Sequence, residues 1–421
     1  MTALPCLIIL LLWNKPLMPL EIGGFRYALP TLRLCKVRVA LLINIYHEKI
    51  RQHNMINSLN IKNFTEFEQA HFDFSDGLNV IIGDNSTGKS HLLKLAYALA
   101  YVWHEAKAEL EEIPGHISSG GSDSWWQRRL AEKLVKVFKP DKLGHLHRFG
   151  QATETEIQAT LIGTESEEAS GGAIKFQFSE TSKTEVALLQ KPICFPAAMP
   201  IFLPEKDVLS WYPGFTGFYK KHRLAIEETY YDLCEALSYP LLESPSTQLI
   251  EPLEQMIGGQ VKLELDRFYI HYPKQGNREI SLIAEGLRKI ALLTYLIAND
   301  SLKAGTTLFW DEPETNLNPR IMKQIADLII QLVKNGVQII LTTHYLFLMK
   351  ELSLQVTHSK GSIPAKFFSL AQEKDEVNHV KVESGKTLPD LQTIVALDEE
   401  LAFFDREQAA FYDKVLSKGK K

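Results

Sequence analysis

One segment restricts the fold of this 421-residue chain more than any other: the octet Gly83-Asp84-Asn85-Ser86-Thr87-Gly88-Lys89-Ser90. It matches G-x-x-x-x-G-K-[S/T], in which glycines let the backbone curl so that successive N–H groups point at phosphate oxygens. An apolar strand at 78–82 precedes it and a helix follows, whose N-terminus adds partial positive charge. In this pattern Lys89 reaches the β- and γ-phosphates, and the Ser90 hydroxyl binds Mg²⁺. The octet therefore predicts a phosphate-binding loop.

A second segment, residues 306–313, carries the carboxylates that such a loop requires. Its apolar strand ends at Asp311, which would complete the Mg²⁺ shell directly or through water, because Mg²⁺ prefers hard oxygen ligands. Glu312 follows, where it would orient and deprotonate an attacking water. Taken alone, the segment also suits a strand followed by a solvated acidic turn. Together with the octet, it favours hydrolysis with water as the acceptor over transfer to a hydroxyl-bearing substrate.

The next residues, Glu314-Thr315-Asn316-Leu317-Asn318-Pro319, make this segment resemble the extended acidic motif (Walker B) and D-loop of ABC-type ATPases. The resemblance is closest to the SMC–RecF–OLD branch, whose members lack membrane domains. It implies ATP and Mg²⁺ as cofactors and places Asn316 at the nucleotide. It also implies an ATP-dependent head-to-tail homodimer, or a higher homo-oligomer, with composite sites.

Two further segments stand in the order of that family. Residues 342–345 end a predicted strand and resemble the switch-histidine motif, in which His344 donates a hydrogen bond to the γ-phosphate. Residues 281–289 open a predicted helix and resemble the ABC signature, in which Gly286 and the helix N-terminus face the γ-phosphate held by the partner subunit. Ala284 replaces the usual serine, so that a hydroxyl contact is missing. Arg288 or Lys289 is the alternative source of charge there.

The implied fold is an α/β P-loop NTPase, an ABC-type head with a mixed or parallel core sheet, a flanking antiparallel β-subdomain and a helical insertion. We expect the head to be split by the insertion, with a C-terminal hairpin and helix as a candidate docking surface. The predicted boundaries are 55–210 and 259–370 for the two parts of the head, 211–258 for the insertion and 371–421 for the end.

Apolar periodicity predicts the individual elements. The helices are expected at 90–112, 124–138, 281–299, 319–334 and 398–416. The insertion is expected to consist mostly of helices, with residues 218–237 in a packed lobe. The strands outside the motifs are expected at 56–64, 70–74, 156–162, 173–178, 184–189, 199–203, 367–370 and 377–382. Between residues 90 and 281 no heptad pattern runs through four repeats, so the coiled-coil arm of SMC proteins is not expected.

Residues 1–54 are expected to be a non-native extension or a loose segment, because Met55 stands immediately before the first alternating strand. An amphipathic targeting segment is the alternative. The apolar run in residues 1–13 is too short to span a bilayer, and no other stretch approaches a membrane helix. Four cysteines without a paired spacing predict a reducing, cytoplasmic setting.

The net charge of −5 gives no overall attraction to nucleic acid. Basic residues nevertheless cluster between 128 and 148. This cluster is interpreted either as the solvated face of a helix or as a contact with DNA. Near the expected position of the ABC glutamine loop, no glutamine is present. Glu205 or Asp207 would either substitute for it or cap the next helix.

The best-supported function at this stage is an ATP hydrolase that gates a separate effector, such as a nuclease, in a defence-type system. The chain after His344 is too short for the nuclease domain of OLD proteins. One alternative is a RecF-like DNA repair ATPase that binds DNA. The second is a structural module that binds ATP without hydrolysing it.

Overall fold

The computed structural model describes residues 55–111, 122–162, 172–192, 196, 198–222, 224–243, 247–372 and 379–418. The predicted extension at residues 1–54 lies outside these described residues, as do Cys6, Cys35 and Cys194. Cys234 is described, and it is a buried thiol.

The described chain alternates strands and helices. The strands are β1 (Met55–Phe64), β2 (Phe67–Asp73), β3 (Leu78–Gly83), β4 (Thr155–Ile162), β5 (Ala173–Phe178), β6 (Ala187–Gln190), β7 (Ile201–Leu203), β8 (Gln260–Glu264), β9 (Arg267–Tyr272), β10 (Gly276–Glu279), β11 (Thr307–Asp311), β12 (Gln338–Thr343), β13 (Ala365–Gln372) and β14 (Val380–Gly385). The helices are α1 (Lys89–Glu111), α2 (Asp123–Phe138), α3 (Phe215–Lys221), α4 (Glu228–Leu237), α5 (Thr247–Ile257), α6 (Glu285–Ala298), α7 (Pro319–Lys334), α8 (Leu346–His358) and α9 (Val395–Lys418).

A six-stranded sheet forms the centre, in the order β14-β13-β3-β12-β11-β7. All its neighbouring pairs are parallel except β13 with β14. Asp311 is in register with Thr342, and Thr342 with Ile81. Because the carboxyl ends of parallel strands meet at one edge, the segments after β3, β11 and β12 come together there. The predicted mixed core sheet is confirmed, and it brings the three distant motifs to the same edge.

Both faces of this sheet are covered, which explains the continuous apolar runs of its strands. Successive side chains of a strand point to opposite faces. Accordingly, Phe309 and Ile340 belong to one buried cluster, while their neighbours on β11 and β12 belong to the other. Burying each such side chain contributes about 1.5–3 kcal/mol.

A second sheet, antiparallel and in the order β2-β1-β4-β5-β6, is the predicted flanking subdomain. Helix α1 packs against both sheets, since its apolar residues share one buried cluster with β1, β4, β11 and β12. The Tyr97 ring of α1 lies 5.7 Å from the Phe309 ring and 5.2 Å from the Phe202 ring. The helix that follows the phosphate loop is thus fixed on both sides.

The opposite face of the central sheet is covered by α6, α7 and α8 together with the helical insertion, α3 to α5. Residues 218–237 of the insertion belong to two helices, because the backbone is extended at His222 and ends α3 before α4 begins. A small sheet, β10-β9-β8, and helix α8 were not predicted.

Candidate active site

The phosphate loop runs from the end of β3 into the first turn of α1. Gly88 has φ +86°, and a Cβ there would lie 2.8 Å from the Phe67 ring, so only glycine fits. Ser86 also has a left-handed backbone, with φ 62°. Backbone strain of this kind is concentrated at functional sites. The loop is therefore held in a curled conformation by packing from the antiparallel sheet.

The Lys89 side chain folds across this loop. Its Nζ donates to the carbonyl oxygens of Gly83 at 2.9 Å and Asp84 at 2.7 Å. Burial lowers the pKa of Lys89, while the nearby carboxylates of Glu312, Asp84 and Asp311 oppose that shift. An ammonium group held over the loop is what recognition of the terminal phosphates requires.

A cleft of about 270 Å³ opens at the loop. Its lining combines the loop with one residue of the β1–β2 turn, one of α1 and one carboxylate after β11: Asn85, Ser86, Thr87, Gly88, Lys89, Ser90, Glu66, His91 and Glu312. The structure thus brings the octet and Glu312, predicted from segments more than two hundred residues apart, to one cavity.

Ser90 and Asp311 meet beside this cleft. The Ser90 hydroxyl donates to Asp311 Oδ1 at 3.1 Å, and the Thr342 hydroxyl donates to the same oxygen at 2.5 Å. Burial raises the pKa of Asp311, and these two hydrogen bonds act in the opposite direction. Thr342 was not predicted as a site residue, although it follows directly from the register of β11 and β12.

The donor set at Ser90 and Asp311 fits Mg²⁺. A hydroxyl and a carboxylate are hard oxygen ligands, and Mg²⁺ in nucleotide sites is held by one or two such groups plus phosphates and waters. Within the described parts of the chain, no group of three or more His, Cys, Asp or Glu side chains could hold a metal.

Glu312 lies where the backbone turns sharply after β11, with φ 47°. Its N–H donates to the Thr342 carbonyl and hydroxyl oxygens, both at 3.2 Å. Its carboxylate Oε1 lies 3.0 Å from Nδ1 of the half-exposed His344. The two residues predicted as base and phosphate sensor are thus in direct contact.

Glu314 approaches the same histidine from inside the protein. It is 5% exposed, and its Oε1 accepts from the Thr343 hydroxyl at 2.6 Å and from the His344 backbone N–H at 3.2 Å. The sequence motif contains this glutamate, but only the fold shows that it reaches the end of the neighbouring strand, β12.

The predicted signature packs against the predicted D-loop. A Cβ on Gly286 would lie 2.8 Å from Leu317 Cδ2, and the Asn316 side-chain amide donates to Glu285 at 2.9 Å. Lys289 Nζ donates to the Thr315 carbonyl at 2.9 Å. Neither Gly286 nor Asn316 lines the cleft at Lys89.

The two cations considered for the signature both have partners within the chain. Lys289 is held by D-loop carbonyls, and burial lowers its pKa. Arg288 forms an ion pair with Asp207 at 2.9 Å and contacts the Ser210 hydroxyl. Asp207 also accepts from the backbone N–H groups of Leu209 and Ser210, at 3.2 and 3.3 Å. Asp207 thus caps the next helical turn, one of its two predicted roles, whereas Glu205 is exposed.

Two cations of the basic cluster, both on α2, are paired inside the protein. Arg129 pairs with Glu105 on α1 at 2.7 Å. Lys133 is fully buried between Glu228 at 2.9 Å and Asp232 at 2.6 Å, both on α4. These charges join three helices, and they do not form a free surface for nucleic acid.

Two family models match the chain. One, described as "AAA ATPase domain", covers residues 55–186 and includes the phosphate loop. The other, described as "AAA domain, putative AbiEii toxin, Type IV TA system", covers residues 148–350 and includes the acidic pair and His344. Between them the two models make residues 55–350 similar to AAA-type ATPases. Both matches agree with the site geometry, because each family model covers residues on one side of the same cleft.

Curated proteins that match part of the chain include the DNA replication and repair protein RecF of Oenococcus oeni, 44% identical over 110 residues, which are 22% of this chain and 30% of that protein. RecF of Exiguobacterium sp. is 29% identical over 99 residues, 22% of this chain and 27% of that protein. The chain thus spans less than a third of the length of these relatives.

Among solved structures, an SMC head bound to the C-terminal winged-helix domain of ScpA has a TM-score of 0.48 and 16% identity, covering 80% of this chain and 98% of that one. The SMC head domain of Thermotoga maritima has a TM-score of 0.40 and 14% identity, covering 79% of this chain and 99% of that one. In the described part of the chain, no helix is long and apolar enough to cross a membrane.

Proposed function

We propose that the protein binds ATP with Mg²⁺ at the cleft between the phosphate loop and β11 and hydrolyses it. The observation that carries this proposal is the meeting of Ser90 with Asp311, at 3.1 Å, beside a cleft lined by both Lys89 and Glu312. A phosphate-binding loop alone binds nucleotide. The added carboxylate facing the same cleft supplies a base for water.

Each residue has a task in this reaction. Lys89 and the loop N–H groups bind and orient the phosphates, while Ser90 and Asp311 would hold Mg²⁺. When bound, Mg²⁺ neutralises charge that develops on the phosphate oxygens. Glu312 accepts the proton of the attacking water, and His344 stands next to it to contact the γ-phosphate. Catalysis of this kind depends on positioning and electrostatics, with little covalent chemistry by the protein.

The direct test combines binding with turnover. We expect the wild-type chain to release phosphate from ATP in Mg²⁺ and not in EDTA. Lys89→Ala should abolish ATP binding in calorimetry, because the loop loses its only ammonium group. Tight ATP binding by the wild type without any phosphate release, with DNA and partners supplied, would instead support the non-hydrolysing structural module.

We further propose that two copies assemble head to tail in an ATP-dependent manner, and that the cycle gates a separate effector such as a nuclease. Gly286 packs against Leu317 and does not line the cleft of its own chain, which supports the head-to-tail assembly. The family description that mentions a toxin system supports the gating of a separate effector. Purification with interacting proteins from the native host, followed by mass spectrometry, would test for the effector.

The alternative, a DNA repair ATPase, is favoured by the partial matches to RecF. The internal pairing of Arg129 and Lys133 removes two of the cations that would serve it. DNA-stimulated turnover that falls steeply with salt would favour this alternative, because phosphate contacts release counterions.

A further inference from the structure

Glu314 is a buried carboxylate to which none of the roles above assigns a task. Its Oε1 accepts two hydrogen bonds at the end of β12, from the Thr343 hydroxyl and the His344 N–H. The Thr343 hydroxyl accepts in turn from the Tyr345 N–H at 3.1 Å. One carboxylate oxygen therefore fixes the chain at three successive residues where β12 ends.

This arrangement is costly for the fold. Among the described residues, Glu314 Oε2 is buried and has no hydrogen-bond partner. A buried polar atom left unsatisfied costs about 1–3 kcal/mol, and such exceptions call for an explanation. Burial raises the pKa of Glu314, against the effect of the Thr343 hydrogen bond. Local rules of stability are typically violated in this way at functional sites.

The position of Glu314 supplies a reason. His344 is held at two points by the same short loop: its ring by Glu312, at 3.0 Å, and its backbone by Glu314. Pro313 stands between the two carboxylates, and its ring fixes φ in that part of the loop. The distance between the two attachment points is therefore restricted, and the imidazole is kept against Glu312, whose side chain lines the cleft.

We propose that Glu314 is a positioning residue for ATP hydrolysis, which holds the backbone at His344 so that the imidazole faces Glu312. This inference rests on the proposed function. Glu314 acts as a hydrogen-bond acceptor, through Thr343 and His344, and does not itself touch the nucleotide.

Steady-state kinetics of two variants test the role. Glu314→Ala removes the acceptor and should lower kcat about tenfold or more, with KM for ATP changed less than about twofold, because only the arrangement in the transition state is lost. Glu314→Gln keeps an oxygen acceptor and should restore at least about a third of the wild-type kcat. Equal losses of kcat in both variants would overturn the role as an acceptor.

The matched control is Glu383→Ala. Glu383 also accepts from backbone N–H groups, those of Gln392 and Thr393 at 3.0 and 3.1 Å, and from the Thr393 hydroxyl, but on β14. Its loss should leave kcat unchanged. Melting temperatures of both alanine variants show whether stability alone accounts for a kinetic difference.

A double-mutant cycle with His344→Gln separates positioning from general support of the fold. If Glu314 acts through His344, Glu314→Ala should lower kcat less than about twofold further in the His344→Gln background, since coupled residues are non-additive. The same tenfold loss in both backgrounds would show that Glu314 does not work through His344.

A measurement that does not depend on ATP hydrolysis tests this inference separately from the proposed function. The imidazole NMR signals of His344, assigned with His344→Gln, should shift or broaden in Glu314→Ala and not in Glu383→Ala. Should the wild type bind ATP and release no phosphate, the proposed hydrolysis fails, and these signals still decide the role of Glu314. Unchanged His344 signals in Glu314→Ala would overturn it.

Discussion

Asp311 and Glu312 are adjacent carboxylates with different environments. Asp311 ends β11, is 9% exposed and accepts from two hydroxyls. At Glu312 the backbone is left-handed, and its side chain turns into the cleft. The sharp turn therefore separates a carboxylate bonded to Ser90 and Thr342 from one that lines the cleft, and each can be tested by removing its charge.

Glu312→Gln should retain ATP affinity and lose turnover by at least about 100-fold. The amide fits the same space, but it cannot accept a proton from water. If the dimer forms around ATP, the variant should accumulate as an ATP-bound dimer, because binding stabilises the assembled state and release requires hydrolysis. Calorimetry, phosphate release and light scattering measure the three effects. Hydrolysis at the wild-type rate would show that another group is the base.

Asp311→Asn should stabilise the protein in the absence of Mg²⁺ and abolish Mg²⁺-dependent turnover. Because burial raises the pKa of Asp311, its ionised form destabilises the fold above that pKa. The asparagine oxygen can still accept from Ser90 and Thr342. We expect a gain of about 1 kcal/mol, or a melting temperature higher by about 2–4 °C.

The pH dependence of that gain has a definite sign. In the wild type, the penalty is present when Asp311 is ionised and disappears as the pH falls through its raised pKa. The difference between wild type and Asp311→Asn should therefore be largest near pH 7–8 and shrink in acid. The exposed substitution Asp398→Asn is the control. A variant that is less stable than wild type at pH 8 would contradict the argument.

At the scale of elements, the sequence predicts the parts around the site well. The prediction for α7 is correct at both ends, because Asn318 caps its N-terminus and Gly336, with φ +84°, follows its C-terminus. Strands β3, β11 and β12 are buried on both faces, so each reads as a continuous apolar run. The octet, Asp311, Glu312 and His344 can therefore be located from the sequence alone.

Other elements could not be predicted because their signals are local or weak. Strands β8 to β10 are short and rich in charged residues, and β10 is exposed throughout. The roles of Thr342 and Glu314 depend on strand register and on which loop reaches which strand end. These relations join residues about thirty positions apart, and no periodicity in the sequence encodes them.

The pairing of α1, α2 and α4 depends on one buried cation, Lys133. Its ammonium lies between Glu228 and Asp232 and 3.3 Å from the centre of the Tyr101 ring. Lys133→Ala would leave the buried Asp232 without its ion pair, while Glu228 would keep only Lys136, at 3.2 Å. We therefore expect a loss of about 3–5 kcal/mol in the free energy of unfolding. Chemical denaturation measures it.

Arg128→Ala is the control for this prediction, since Arg128 is an exposed neighbour in the same basic cluster. Its effect on stability should stay within about 0.5 kcal/mol. Should both variants lose stability equally, Lys133 would not be the central cation. Should Arg128→Ala abolish DNA-stimulated turnover without loss of stability, the DNA-binding alternative would gain support.

For the whole molecule, the decisive question is whether a complete active site needs two chains. The cleft at Lys89 contains the loop, Ser90 and Glu312, whereas Gly286 packs under Leu317 and does not line it. A head-to-tail assembly would bring the α6 N-terminus of one copy to the phosphates held by the other. Such an assembly closes into a pair when it has two-fold symmetry, so that each copy offers the same cleft and the same α6 N-terminus to the other.

Mixing two inactive variants tests this arrangement. Lys89→Ala loses nucleotide binding, and Gly286→Asp would place a negative charge at the helix end that faces the partner's γ-phosphate. In a head-to-tail dimer, each mixed pair contains one composite site with neither substitution. Random pairing should then restore about a quarter of wild-type turnover, because half of the dimers are mixed and each has one intact site of two. Circular dichroism must first show that Gly286→Asp folds, since a side chain there displaces Leu317. If each chain formed its site alone, the mixture would stay as inactive as its components.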